Sequence, residues 1–388
     1  MAHIDPIDLA CALIRRPSVT PADEGALDVL EASLAALGFA CTRLKFEDVD
    51  NLYARYGEAR PHFCFAGHTD VVPPGDEAAW SDPPFEATLK DGRLWGRGAA
   101  DMKAAIAAFV AAAARTLAAG RVTGSLSFLI TGDEEGPAVN GTRKMLDWLR
   151  AKKIAIDHCL VGEPSNPEAM GEMIKVGRRG SINCWLTVNG RQGHVAYPHR
   201  ADNPIPALLR KLLHLCETPL DDGYARFQPS SLQVTDIHIG NPAHNVIPEK
   251  ATARFNIRFN PNWTGATVEA WLREQLDARA AELGVRYSLE AVVSGEAFLT
   301  TDEPYLTLLS DCVEARTGRK PELSTSGGTS DARFIKDVAP VAEFGLVGAT
   351  MHQTDENVAV ADIETLTDIY EAILEDYYAR FSAVSEQS

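Results

Sequence analysis

No stretch of this sequence approaches the ~18 uninterrupted apolar residues of a membrane-spanning helix. Its opening, MAHIDPIDLACALIRRPSVT, lacks a basic start followed by an apolar run and a cleavage site. These absences predict a cytoplasmic protein with no membrane partner. Positive charge is scarce as well: 37 Lys and Arg stand against 54 Asp and Glu, for a formal net charge of -17. A general affinity for nucleic acid or an anionic membrane needs basic surface and is not expected, so an anionic substrate would require a local cluster of arginines. The seven cysteines (Cys11, Cys41, Cys64, Cys159, Cys184, Cys216 and Cys312) form an odd set with no C-x-x-C pair. Neither a disulfide framework nor a Cys-rich zinc knuckle is indicated, and reduced, mostly buried thiols are predicted. Internal repeats and low-complexity linkers are absent too.

What is present suits a globular chain. Its 388 residues, 45% hydrophobic and 23% charged, are enough for two domains with a core each. Apolar residues recur at helical spacing from Asp5 to Leu37 and stop at Gly38, which predicts an opening helix. HFCFAG, SLSFLITG and HCLVG are short apolar runs ended by glycine, as central strands of a sheet covered on both faces would be. The Ala-rich stretch from Lys103 to Ala119 between the first two is a strong helix former. Alternating strands and helices predict an α/β layer fold. After about residue 178 the pattern reads β-α-β-β-α-β: SINCWLTVNG, the helical NPIPALLRKLLHLC, SLQVTDIHIG, ATARFNIRFN and the helical TVEAWLREQLDARAAEL. That order predicts a small ferredoxin-like domain over residues 179–293, inserted in a larger domain of residues 1–178 and 294–388. The return carries a helix near Leu306–Thr317 and a strand near Pro340–Phe344.

Three of the apolar runs lead straight into polar, metal-ligating residue types: His68 and Asp70, then Asp133, Glu134 and Glu135, then Glu163. Strand ends of this kind are where α/β sheets place ligands. Asp101 follows the Gly-rich turn WGRGAAD, and His352 lies in ATMHQTDEN beyond the last strand. Two histidines and three carboxylates are thus able to converge. Zinc takes both donor types, and a carboxylate can bridge two ions. Two Zn²⁺ carry four positive charges, Asp101, Glu135 and Glu163 supply three negative ones, and a bridging hydroxide would complete neutrality. Glu134 is then placed to act as general base, and Asp70, on the same side of the chain as His68, to hold the imidazole from behind. The alternative is bland: a histidine after a strand is commonly a core or loop residue, and the Glu134–Glu135 pair a solvated surface. Carboxylates at several strand ends would, however, repel one another without an intervening cation or proton.

Taken together and in this order, GHTDVVP, WGRGAADMK, TGDEEG and GEP resemble the dinuclear zinc aminoacylase/carboxypeptidase family over nearly the whole chain. The resemblance implies a zinc-peptidase-like catalytic domain with a central mixed sheet, interrupted by a ferredoxin-like α+β dimerisation or lid domain. It implies one zinc on His68, Asp101 and Glu163 and another on Asp101, Glu135 and His352, with Co²⁺ able to substitute. Glu134 would be the base, Asp70 a supporting catalytic residue, and the Asp101–Met102 peptide cis. Through VGRRGSINCWLTVNGRQGHVAYPHRADNPI, NVIPEKATARFNIRF and STSGGTSDARF, the second half is most similar to members that release succinate from N-succinyl-LL-2,6-diaminopimelate, in lysine and diaminopimelate biosynthesis. That likeness implies a homodimer joined through the inserted domain, with His194 reaching across to stabilise an oxyanion. It also implies a small anionic N-acyl amino acid as substrate, held by Arg178, Ser181, Tyr197, Asn245, Arg258, Gly328 and Thr329, with Arg179 as a further contact. Guanidinium groups pair bidentately with carboxylates. By pattern alone, Arg258 in its alternating strand is simply solvent-facing and SGGTSDAR a flexible turn. The competing functions are a zinc deacylase acting on another substrate, such as acetylornithine, a peptidase of the same family, and a non-catalytic metal-binding or scaffold protein.

Overall fold

The structure is a computed structural model that describes residues 3–385, and it divides into two compact units. The larger comprises Met1–Val176, Thr300–Ser324 and Ser330–Ser388; the smaller comprises Gly177–Leu299 with the short segment Thr325–Thr329. The opening helix expected over residues 5–37 is two helices, Pro6–Ile14 and Ala26–Ala36. Pro17 and Pro21 lie between them, and proline withholds the N–H that a continuous helix would need. Among the described residues no helix is long and apolar enough to cross a membrane.

The large unit is built on eight strands: β1 (Ala40–Phe46), β2 (Val49–Tyr56), β3 (His62–His68), β4 (Ser125–Thr131), β5 (His158–Val161), β6 (Met173–Lys175), β7 (Glu322–Ser324) and β8 (Val341–Glu343). They form one mixed sheet in the order β1-β2-β4-β3-β5-β8-β6-β7. β3, β4 and β5 are buried along their whole length, as their unbroken apolar sequence requires. The helix Ala104–Ala118 packs against the C-terminal helix Val360–Ser385. Its Phe109 stacks on Phe65, with ring centroids 4.1 Å apart, and meets Phe128 and Tyr370 edge-on. Each such buried ring contributes ~2 kcal/mol or more through the area it removes from water.

Register then sets the site. β3 is parallel to both neighbours, with His68 opposite Thr131 of β4 and Ala66 opposite Val161 of β5. The residues that follow each strand therefore emerge side by side at one edge of the sheet. A second device brings in the remaining segments: the short strands Arg93–Trp95 and Asn357–Ala359 pair antiparallel, tying the turn before Asp101 to the loop after His352. The Asp101–Met102 peptide is cis.

The small unit is a four-stranded antiparallel sheet, Ser231–His238, Lys250–Phe259, Gly180–Asn189 and Arg286–Gly295 in spatial order, with the helices Pro204–Glu217 and Gly265–Leu283. This is the ferredoxin-like order of a β-α-β-β-α-β chain. Alternation divides the sheet faces: Ile182, Cys184, Leu186, Phe255 and Ile257 join the helix-backed core, while Ser181, Asn256 and Arg258 share the other face.

Candidate metal centre

His68 ends β3, with its ring fully buried. Its Nδ1 donates to the backbone carbonyl of Asp70 at 2.8 Å, which leaves Nε2 to face the carboxylates. Nε2 lies 3.1 Å from Asp101 Oδ1 and 3.7 Å from Glu163 Oε1. Asp101 presents its other oxygen, Oδ2, to His352 Nε2 at 3.2 Å, and His352 Nε2 is 2.8 Å from Glu135 Oε1. One aspartate thus stands between two histidine-carboxylate groups. His68, Asp101 and Glu135, and separately His68, Glu134 and Glu163, each bring donor atoms within 4.8 Å of one another. The five residues expected from sequence as ligands come from five separate segments, and all five converge.

The Asp70 carboxylate sits 3.7 Å from His68 Nδ1, with the main-chain oxygen making the shorter contact. The carboxylate itself accepts from the backbone N–H groups of Glu134 (3.2 Å) and Glu135 (3.0 Å). Asp70 therefore orients the imidazole through its backbone and the Glu134–Glu135 turn through its side chain.

The electrostatics test whether cations suit this cluster. Burial, reinforced by Asp101 and Glu134, drives Glu163 well above the carboxylate range. Burial, with added repulsion from Asp331, Glu135 and Asp101, pushes Glu134 up to about 8. Burial alone would raise Asp101, but hydrogen bonds from His352 and His68 hold it low. Bonds to Asp101 and Glu135 lift His352 to about 10. With Asp101, Glu135 and Glu163 ionised against two histidines, the cluster carries more negative charge than its histidines balance even when both are protonated. Imidazole and carboxylate are a donor set for which divalent cations supply the missing charge, so the residues fit a two-metal centre.

The other sequence candidates lie in the small unit. Arg178 is buried, and its Nη1 donates to the carbonyls of Ser326 (3.3 Å) and Gly328 (3.0 Å), holding the segment that carries Gly328 and Thr329. Ser181 is opposite Arg258 in register and accepts from Asn256 Nδ2 at 3.0 Å. Arg258 is half-buried, and burial, followed by repulsion from Arg179, lowers its affinity for its proton. His194, Tyr197 and Asn245 form a separate exposed corner: His194 is paired with Val246, the Asn245 carbonyl accepts from Val195, and the His194 and Tyr197 rings lie 5.8 Å apart.

Sequence reasoning passed over several residues here. Glu343 ends β8 beside Val161 and is buried, with one carboxylate oxygen bonded to Ser330. Buried Asp331 has an Oδ1 without a hydrogen-bond partner and adds its repulsion to Glu134. The signal for Glu343 was available, since it too is an acidic residue closing an apolar strand.

Comparison with known proteins identifies the family. Residues 64–376 match the model of peptidase family M20/M25/M40, and the chain belongs to that family. Among relatives, succinyl-diaminopimelate desuccinylase of Maricaulis maris is 61% identical over 379 residues, covering 98% of this chain and 97% of that protein. The protein of the same name from Parvibaculum lavamentivorans is 60% identical, covering 97% and 96%. Among solved structures, aminopeptidase PepT from Bacillus cereus superposes with a TM-score of 0.80 at 20% identity, covering 98% of this chain and all of that one. A dinuclear metal-binding M20 peptidase from Bacillus subtilis gives a TM-score of 0.72 at 15% identity, covering 96% and 98%. At these identities the structural likeness establishes the fold.

Proposed function

We propose that this chain hydrolyses N-succinyl-LL-2,6-diaminopimelate to succinate and LL-2,6-diaminopimelate, as a zinc-dependent amidohydrolase of the cytoplasm serving lysine and diaminopimelate biosynthesis. The observation that carries the reading is the pair of histidine-carboxylate groups sharing Asp101. The substrate rests on 61% and 60% identity to the two desuccinylases along nearly the whole chain.

His68, Asp101 and Glu163 would hold one ion and Asp101, Glu135 and His352 the other. Bound there, two such ions would supply the acidity that activates a water and the positive charge that polarises the scissile carbonyl. Zinc suits these donors, and Co²⁺ would be accepted by them. Glu134 takes the proton of the attacking water and returns it to the leaving amine as the C–N bond breaks. Asp70 keeps the His68 ring and the Glu134–Glu135 turn in register for that transfer. Arg258, Ser181, Tyr197, Asn245, Gly328 and Thr329 are assigned to the substrate, with Arg178 and Arg179 beside them. Arg258 is the cation for the succinyl carboxylate, because charge-assisted pairing rewards a dicarboxylate acyl group over an acetyl one. The protein acts as a homodimer joined through the small unit, where His194 of the partner subunit donates to the developing oxyanion.

Substitution of Arg258 by Ala tests the substrate assignment. A lost charged hydrogen bond is worth ~1.5–3 kcal/mol, so kcat/KM for the succinyl substrate should fall roughly 10- to 100-fold while residual cleavage of N-acetylornithine changes little. Equal losses on both would point to a different acyl substrate.

A further inference from the structure

The shared ligand, Asp101, is held in place by a residue outside the ligand set. Glu356 is fully buried, and its Oε1 accepts from the backbone N–H of Ala100 (2.8 Å) and of Asp101 itself (3.2 Å). Its Oε2 pairs with Arg97 Nη1, and that guanidinium, also buried, lies 5.2 Å from the centre of the Trp80 ring. The Glu356 main chain takes part as well, because its carbonyl accepts from Gly96 N at 2.9 Å. Glu356 stands four residues after His352, on the loop that brings this histidine to Asp101 Oδ2. Between the two, Asp355 accepts from Ser81 N at 2.7 Å and from Ser81 Oγ at 2.8 Å, which pins the loop from its other side.

We infer that Glu356 is a positioning residue for the two-metal centre. By taking the amide hydrogens of Ala100 and Asp101 on a side chain that belongs to the His352 loop, it fixes the distance between the shared aspartate and His352. Arg97 pairs with the other oxygen of that carboxylate and keeps it turned towards the two amides. Groups that orient ligands in this way commonly change metal affinity 10–100-fold when removed. This inference rests on the two-metal reading.

Two conservative variants of the full chain separate reach from charge. In Glu356→Asp the charge stays, but the carboxylate retreats by about one C–C bond, ~1.5 Å, too far to hold both amides. In Glu356→Gln an amide oxygen still reaches them, while Arg97 loses its anionic partner. Stepwise cobalt titration of the metal-free protein, followed by visible absorption and calorimetry, reads each ion separately, and thermal unfolding without metal reads stability. The expected result is a 10–100-fold weaker binding of one of the two Co²⁺ ions in Glu356→Asp, with an altered absorption band. In Glu356→Gln both ions should bind within about threefold of the native protein, although its metal-free form melts lower. The reverse order, or cobalt binding that simply follows melting temperature across the variants, would overturn the assignment of Glu356. A native chain that takes up no cobalt would overturn the metal reading beneath it.

Discussion

At the scale of single residues the centre works through contrast between like groups. Five carboxylates, those of Asp70, Asp101, Glu134, Glu135 and Glu163, crowd one sheet edge, yet their surroundings push them apart. Asp101 is held low by two imidazoles, while burial moves Glu134 up to about 8. A carboxylate with a raised pKa can both accept and return a proton near neutrality. Glu134→Gln should therefore lose about 10²–10⁴-fold in kcat with its metal content unchanged, checked by metal analysis of the same sample. A comparable loss of metal would make Glu134 a ligand instead.

A second residue-scale expectation concerns stability. His62 is buried at the start of β3, with Nδ1 on the Ala155 carbonyl and Nε2 on Ser127 Oγ. Burial lowers it from 6.5 to about 4. Between those values the unfolded chain binds the proton and the folded one does not, so stability is lost as pH falls from 6.5 towards 4. The loss approaches about 3 kcal/mol. Urea midpoints at pH 6.5 and 4.5 should converge in His62→Asn relative to the native protein; an unchanged gap would exonerate His62.

At the scale of elements, the parallel register of β3, β4 and β5 does most to assemble the centre. This much was legible in sequence, because HFCFAG, SLSFLITG and HCLVG are unbroken apolar runs ending in glycine and then a ligand type. His352 was legible as a ligand type beyond the last strand, but the course of the loop that delivers it was not: it is set by Arg93–Trp95 pairing with Asn357–Ala359, a contact between segments about 260 residues apart that no local periodicity encodes. The same limit hid Arg97 and Glu356, each an unremarkable charge in its own stretch of chain. Arg178, expected from VGRRGS as a substrate contact, also donates through Nη1 to the carbonyls of Ser326 and Gly328, bonds that its own stretch of chain does not disclose. The helical spacing over residues 5–37 was legible, but Pro17 and Pro21 divide it into two helices.

Strand ends also carry an element-scale prediction. A Cβ at Gly345, just beyond β8, would stand 2.4 Å from the Gly162 carbonyl and 2.5 Å from that of Glu163. Both are backbone atoms with little freedom to yield, so Gly345→Ala must displace the segment that presents Glu163. It should cost about 1–3 kcal/mol of stability and weaken metal binding at the same time. Calorimetric melting with and without zinc checks this, and a variant with native zinc uptake would show that the Glu163 segment tolerates the shift.

For the whole molecule, the two units divide the chemistry: the metal candidates all belong to the large one, and the substrate candidates and His194 to the small one. The small unit leaves Leu209 (49%) and Leu213 (57%) exposed one turn apart on the helix Pro204–Glu217. Paired apolar side chains of this kind suit contact with a second copy. Replacing both by Glu should yield a monomer in sedimentation, with normal metal content and little turnover. An active monomer would remove His194 of the partner subunit from the mechanism.

The central claim, a two-metal centre that removes a succinyl group from an amino acid, is tested most directly by hydrolysis of N-succinyl-LL-2,6-diaminopimelate. The purified protein is assayed as isolated, after chelation, and after zinc is restored. Succinate release that vanishes with the chelator and returns with zinc is the predicted result. Release that survives complete removal of metal, or no release by protein carrying two zinc ions, would contradict it.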